Sequence, residues 1–182
     1  MHRHRTILRG ILLVVAAALL AVVARRPANP PGRGGEGVAE AVDFDLLGGF
    51  ELELPEIIEN EQGLFVHANT PILDKVPAAV RELDGRTVTV SGFMQPISLR
   101  KGSVEEFLLL RDRDTCCFGG TPQVNHWIAV NLTNGPAIAR LGRPISVTGR
   151  LSVREIRAEG VIVGLYTMVA NGVSDWDANS RP

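Results

Sequence analysis

Ile145-Ser146-Val147-Thr148-Gly149-Arg150-Leu151-Ser152-Val153-Arg154 alternates apolar and polar residues without a break. Successive side chains of a strand point to opposite faces, so this stretch is predicted to be a strand with one face buried and one wet. Four other stretches read as strands beside it. Arg86-Thr87-Val88-Thr89-Val90-Ser91 places Val88 and Val90 on one face, and Gly92 predicts a bulge or sharp bend in that strand. Val104 to Leu110 is denser, with Phe107-Leu108-Leu109-Leu110, and suits a strand covered on both faces. Val124, His126, Ile128, Val130 and Leu132 alternate with Asn125, Trp127, Ala129 and Asn131, and Val161 to Val169 supplies the fifth strand. Ala137 to Leu141 has room for one helical turn. The fold class expected is mainly β: a small five-stranded OB-like barrel, in which closure removes exposed strand edges, with a β-sandwich as the alternative.

A short helix precedes the strands. Asp74 is its predicted cap, Pro77 lies in its first turn and Asp84-Gly85 ends it. Further upstream the charges are segregated. Residues 1–35 hold six arginines and no acid, residues 36–61 hold nine acids and no base, and the rest holds 13 bases and 11 acids. The net charge of -1 therefore averages three regions with different roles.

The first region reads as an export signal. A basic head from Met1 to Arg9 precedes Gly10 to Ala24, in which no residue is charged. This fits an uncleaved signal anchor crossing the membrane through residues 7–24 or a cleaved signal peptide ending near Ala24. Either places the remainder outside the cytoplasm: single-pass in the cell membrane, or periplasmic or secreted after cleavage. The expected domains are a signal segment at 1–26, a Pro/Gly-rich then acidic linker at 27–63, the β domain at 64–172 and a flexible tail at 173–182. Within the acidic stretch, Phe50 to Leu54 alternates as a short edge strand would.

Chemistry is concentrated in one pair of neighbours, Cys116-Cys117. Adjacent Cα atoms sit ~3.8 Å apart, below the usual ~4.4–6.8 Å span of a disulfide, so a bridge between them would be strained. Four explanations compete: thiolate ligands to a soft metal, a redox-active thiol or strained disulfide, a bridge to another chain, or small apolar residues under a turn. His126, nine residues after Cys117, sharpens the metal reading. Cys116, Cys117 and His126 together would suit Cu(I) or Zn(II), with zinc seeking a fourth ligand. Arg111-Asp112-Arg113-Asp114 reads as a solvated turn, and neither His67 nor the histidines of the basic head has an assigned role.

No nucleophile elbow, P-loop, dinucleotide fingerprint or HExxH zinc motif occurs. The leading functional class is therefore a non-enzymatic binding module, and the second is a thiol redox enzyme using Cys116 or Cys117. No nucleic-acid partner is expected, since residues 62–182 are nearly charge-balanced and aromatics make up 5% of the chain.

Leu83-Asp84-Gly85, the strand through Gly92-Phe93-Met94-Gln95-Pro96, and Glu106-Phe107-Leu108-Leu109 resemble a bacterial family of exported OB-like proteins of unknown function. The likeness covers roughly residues 76–170. It implies an accessory role in the cell envelope, since some members are lipoproteins encoded near ABC-type transporter genes, and hence an ABC-type transporter or other envelope protein as partner. This chain departs from the family in lacking a lipobox cysteine and in carrying the cysteine doublet. The resemblance carries over no catalytic residue.

Overall fold

The computed structural model describes residues 39–113 and 122–176. The expected signal segment, the Pro/Gly-rich stretch, the two cysteines and the last six residues lie outside this range. No helix among the described residues is long and apolar enough to cross a membrane.

The fold is mainly β. β1 (Glu40–Val42) and α1 (Phe44–Gly48) come first, followed by a hairpin of β2 (Ile57–Glu59) and β3 (Phe65–His67). A 3-10 turn at Leu73–Lys75 and α2 (Ala78–Arg81) lead into β4 (Thr87–Pro96), β5 (Ser103–Val104), β6 (Glu106–Leu110) and β7 (Trp127–Leu132). β8 (Ala137–Ile138) is short, and β9 (Pro144–Ala158) and β10 (Val161–Asp175) form one long hairpin.

The main sheet runs β1-β4-β6-β7-β10-β9, and β4 also pairs with β9, so its ladder returns on itself and closes in part. β4 can hold three partners because it is long. Phe93–Pro96 pairs with β6, while Thr87–Phe93 pairs with β9 along the other edge. β7 and β10 run parallel, and β1 lies parallel to β4.

Period-two patterning sets which face is buried. Val88 and Val90 of β4, Ile145, Val147 and Leu151 of β9, and Phe107 and Leu109 of β6 point into one core. β6 and β7 are covered on their other face as well. There Leu110, Trp127, Ala129 and Ile156 form a second cluster, against which Phe93, Leu108 and Val163 pack.

Several local expectations are corrected. Gly92 makes no bulge, since the β4–β9 register runs through it unbroken. It is glycine because the β6 backbone comes close: a Cβ there would lie 2.5 Å from the Leu110 carbonyl oxygen. The strand read from Val124 starts at Trp127, and His126 precedes it in a turn. Ala137–Ile138 forms a strand paired with β5 instead of a helical turn. The helix expected from Asp74 divides into the 3-10 turn and α2, with Pro77 at the α2 N-cap and no side-chain cap bond. A proline has no N–H and cannot continue the hydrogen-bond ladder of the turn before it.

The acidic stretch is folded in part. Val42, Phe44 and Leu47 are buried in the main core, and Phe50 and Leu52 pack against it. Phe50 to Leu54 forms no strand.

Candidate functional site

The most concentrated polar network lies at the C-terminal end of α1, around His126. Asp43 caps the start of this helix by accepting from the Leu46 N–H at 2.9 Å. A helix end exposes carbonyls that have no partner within the helix, and here side chains from distant elements supply the donors. The Tyr166 hydroxyl of β10 donates to the Leu47 carbonyl at 2.7 Å. Arg111, just past β6, donates to the Gly48 carbonyl at 3.2 Å. The Asn125 amide donates to the Phe50 carbonyl at 2.9 Å. His126 Nε2 lies 3.2 Å from the Gly48 carbonyl oxygen.

Gly48 permits this approach. A Cβ at that position would meet the His126 ring at 2.8 Å and the Asn125 carbonyl at 3.0 Å. Arg111 also pairs with exposed Asp45 at 3.1 Å. At such exposure the pair contributes about 0–1 kcal/mol.

The histidine tautomer follows from its neighbours. Nε2 is 3.4 Å from Arg111 Nη1, and a guanidinium only donates. The carbonyl only accepts, and it lies closer. Nε2 therefore carries the proton and donates to Gly48, which leaves the Nδ1 lone pair available. Nδ1 makes no hydrogen bond to a described residue.

His126 is also fixed along the chain. The Arg111 N–H donates to the His126 carbonyl at 3.0 Å, and Leu110 is paired with Trp127 across β6 and β7. The segment carrying Cys116 and Cys117 thus leaves and returns at adjacent points. Both cysteines lie outside the described residues, and among those that are described no three His, Cys, Asp or Glu side chains gather at one place. Arg111, read from sequence as part of a solvated turn, is a half-buried partner of His126. Asn125 and Tyr166 carried no sequence signal beyond strand phase.

His67 forms a second network, at the turn of the β9–β10 hairpin. It is buried, and its Nδ1 accepts from the Ile162 N–H at 2.9 Å. Burial, and then the Arg157 guanidinium, lower its pKa below the ordinary value. Arg157 pairs with Glu155 at 3.0 Å, and Glu155 accepts from the Ile72 N–H at 2.8 Å. His67 Nδ1, Arg157 and Glu155 bond backbone groups that join β3 and the start of the 3-10 turn to the hairpin, so the network is structural.

Residues 59–175 match the model of a family described as protein of unknown function, DUF3299. The chain belongs to that family. The stretches quoted from Leu83 to Pro96 and from Glu106 to Leu109 fall inside the match. The crystal structure of a DUF3299 family protein from Pseudomonas aeruginosa superposes with a TM-score of 0.52 at 21% identity, covering 78% of this chain and 98% of that one. At this identity the likeness speaks for the fold alone. A search among curated proteins finds no match.

Proposed function

We propose that the chain is an exported or membrane-tethered accessory module of an envelope complex, built on an OB-type barrel, that holds a soft metal ion at the loop joining β6 to β7. The barrel reading is supported by five strands whose ladder closes when β9 returns to β4, with β7 and β10 as a parallel pair. The export reading rests on the basic head and the uncharged stretch from Gly10 to Ala24. An ABC-type transporter or another envelope protein as the partner rests on the family resemblance.

The observation that carries the metal reading is the orientation of His126. Histidine ligands to metals characteristically donate their second ring N–H to a carboxylate or backbone carbonyl, which fixes the ring and the tautomer. His126 has this arrangement, with Nε2 on Gly48 and no bond from Nδ1 to a described residue. Cys116 and Cys117 would complete a three-ligand set suited to Cu(I), or to Zn(II) with a fourth ligand. Deprotonated thiolates would supply the negative charge that offsets the ion and the nearby Arg111 cation.

The test is elemental analysis of the full chain, kept reduced and anaerobic, after loading with Cu(I) or Zn(II) and exhaustive dialysis. One equivalent of metal is expected, and loss of that equivalent in Cys116→Ser and in His126→Gln. No retained metal in the unaltered chain, or full retention in both variants, contradicts the reading.

A further inference from the structure

The β2–β3 hairpin is held rigidly but leaves its apolar residues uncovered. At its tip the Asn60 carboxamide oxygen accepts from the N–H groups of Gln62 and Leu64, and Gly63 takes the left-handed conformation of a tight turn. At its base the His67 N–H donates to the Gly160 carbonyl. Ile57, Ile58, Leu64 and Phe65 are nevertheless exposed, Phe65 by 69%. The hairpin is also acidic: Glu56, Glu59 and Glu61 make no ion pair among the described residues, and no Lys or Arg lies between residues 34 and 74.

A second apolar patch has the opposite charge. The β5–β8 ladder, together with a bond from the Ala139 N–H to the Gly102 carbonyl, joins two loops. Leu99, Ile138 and Leu141 are exposed on them, Ile138 by 74%. Arg100, Lys101 and Arg143 surround these residues and are themselves exposed.

The two patches lie at opposite ends of the β9–β10 hairpin. The acidic hairpin is bound where β9 turns into β10, at Gly160 and Ile162. The basic loops are bound at the far end, where Arg140 and Arg143 pair with Asp175 at 3.2 and 3.3 Å. Fifteen residues of each strand separate them, roughly 50 Å of chain path.

We propose that the acidic apolar hairpin of one copy docks on the basic apolar loops of the next, a head-to-tail contact between identical chains. Charge complementarity and matched exposed apolar surface favour this occupant over the uncharged residues 10–24, which offer the acids nothing to pair with. A contact of this kind uses two different surfaces, so it builds rings or open rows.

Lysine content makes the contact directly readable, since the chain has two lysines, Lys75 and Lys101. A carbodiimide joins an ammonium and a carboxylate in contact into an amide, with no spacer. Membranes or micelles holding a mixture of isotopically light and heavy full chains would be treated, digested and mapped by mass spectrometry. The expected product joins Lys101 of one isotopic form to Glu56, Glu59 or Glu61 of the other. Its yield should fall severalfold in Phe65→Ser, in Leu141→Glu and at high salt. Lys75 lies 3.7 Å from Glu53 in the same chain and serves as the internal control. Coupling at Lys75–Glu53 with no intermolecular Lys101 product, or Lys101 joined only to other carboxylates, overturns the proposal.

Discussion

Tyr166 shows how one buried hydroxyl joins two distant parts of the chain. It is fully buried, its phenol pKa is raised by that burial, and its hydroxyl donates to a carbonyl 119 residues away. Tyr166→Phe removes the donor and leaves the Leu47 carbonyl unsatisfied, at a cost of about 1–3 kcal/mol in chemical denaturation. Gly48→Ala is expected to cost a similar ~1–3 kcal/mol, because its Cβ would press on the His126 ring and the Asn125 carbonyl. His67 adds a pH dependence. Its folded pKa is lowered from 6.5, so the unfolded chain binds its proton first as the pH falls. The stability it supports is complete above about pH 6.5, declines below that value and levels off beneath the folded pKa. His67→Gln should flatten that segment in denaturation midpoints measured from neutral to mildly acidic pH; an unchanged slope would place its origin elsewhere. None of these three roles was legible in the sequence, because each partner, backbone or side chain, lies far along the chain. The sequence singled out His126 near two cysteines but put it in a strand, whereas it lies in the turn before β7 and its tautomer depends on Gly48, from a segment expected to be linker.

At the scale of elements, alternation was a reliable guide wherever one sheet face is buried. It located β4 and the start of β9 with the correct residues inside: Val88, Val90, Ile145, Val147, Leu151 and Val153. It failed after Val153, where the β9–β10 register shifts and burial passes to Ile156 and Ala158. It failed again at Ala137–Ile138, where two residues are too few to show any period. The acidic stretch misled for another reason. Its charge count is that of a solvated spacer, yet Val42, Phe44 and Leu47 alone place it on the core. Burying such side chains contributes about 1.5–3 kcal/mol each, against a net stability of roughly 5–15 kcal/mol for a domain. Deleting residues 39–49 from the full chain is therefore expected to abolish cooperative unfolding and to expose the Tyr166 environment, as read by near-ultraviolet circular dichroism. A cooperative transition with an unchanged midpoint would show that β1 and α1 are dispensable.

For the whole molecule, the formal charge of -1 conceals an arrangement with consequences for assembly and location. Six arginines flank the uncharged stretch, the acids gather on β1, α1 and the β2–β3 hairpin, and exposed bases cluster at the other end of the β9–β10 hairpin. Membership of the DUF3299 family covers residues 59–175, leaving β1 and α1 outside the family match although α1 supplies the Gly48 carbonyl that binds His126 and the Leu47 carbonyl that binds Tyr166. On the proposed function, this histidine, fixed from outside the family region, and the cysteine doublet hold one soft ion. X-ray absorption at the zinc edge of the loaded full chain tests it most directly. Two sulfur scatterers at about 2.3 Å and at least one imidazole nitrogen at about 2.0–2.1 Å are expected, with the imidazole contribution lost in His126→Gln. A first shell of oxygen and nitrogen only, unchanged in that variant, would contradict it.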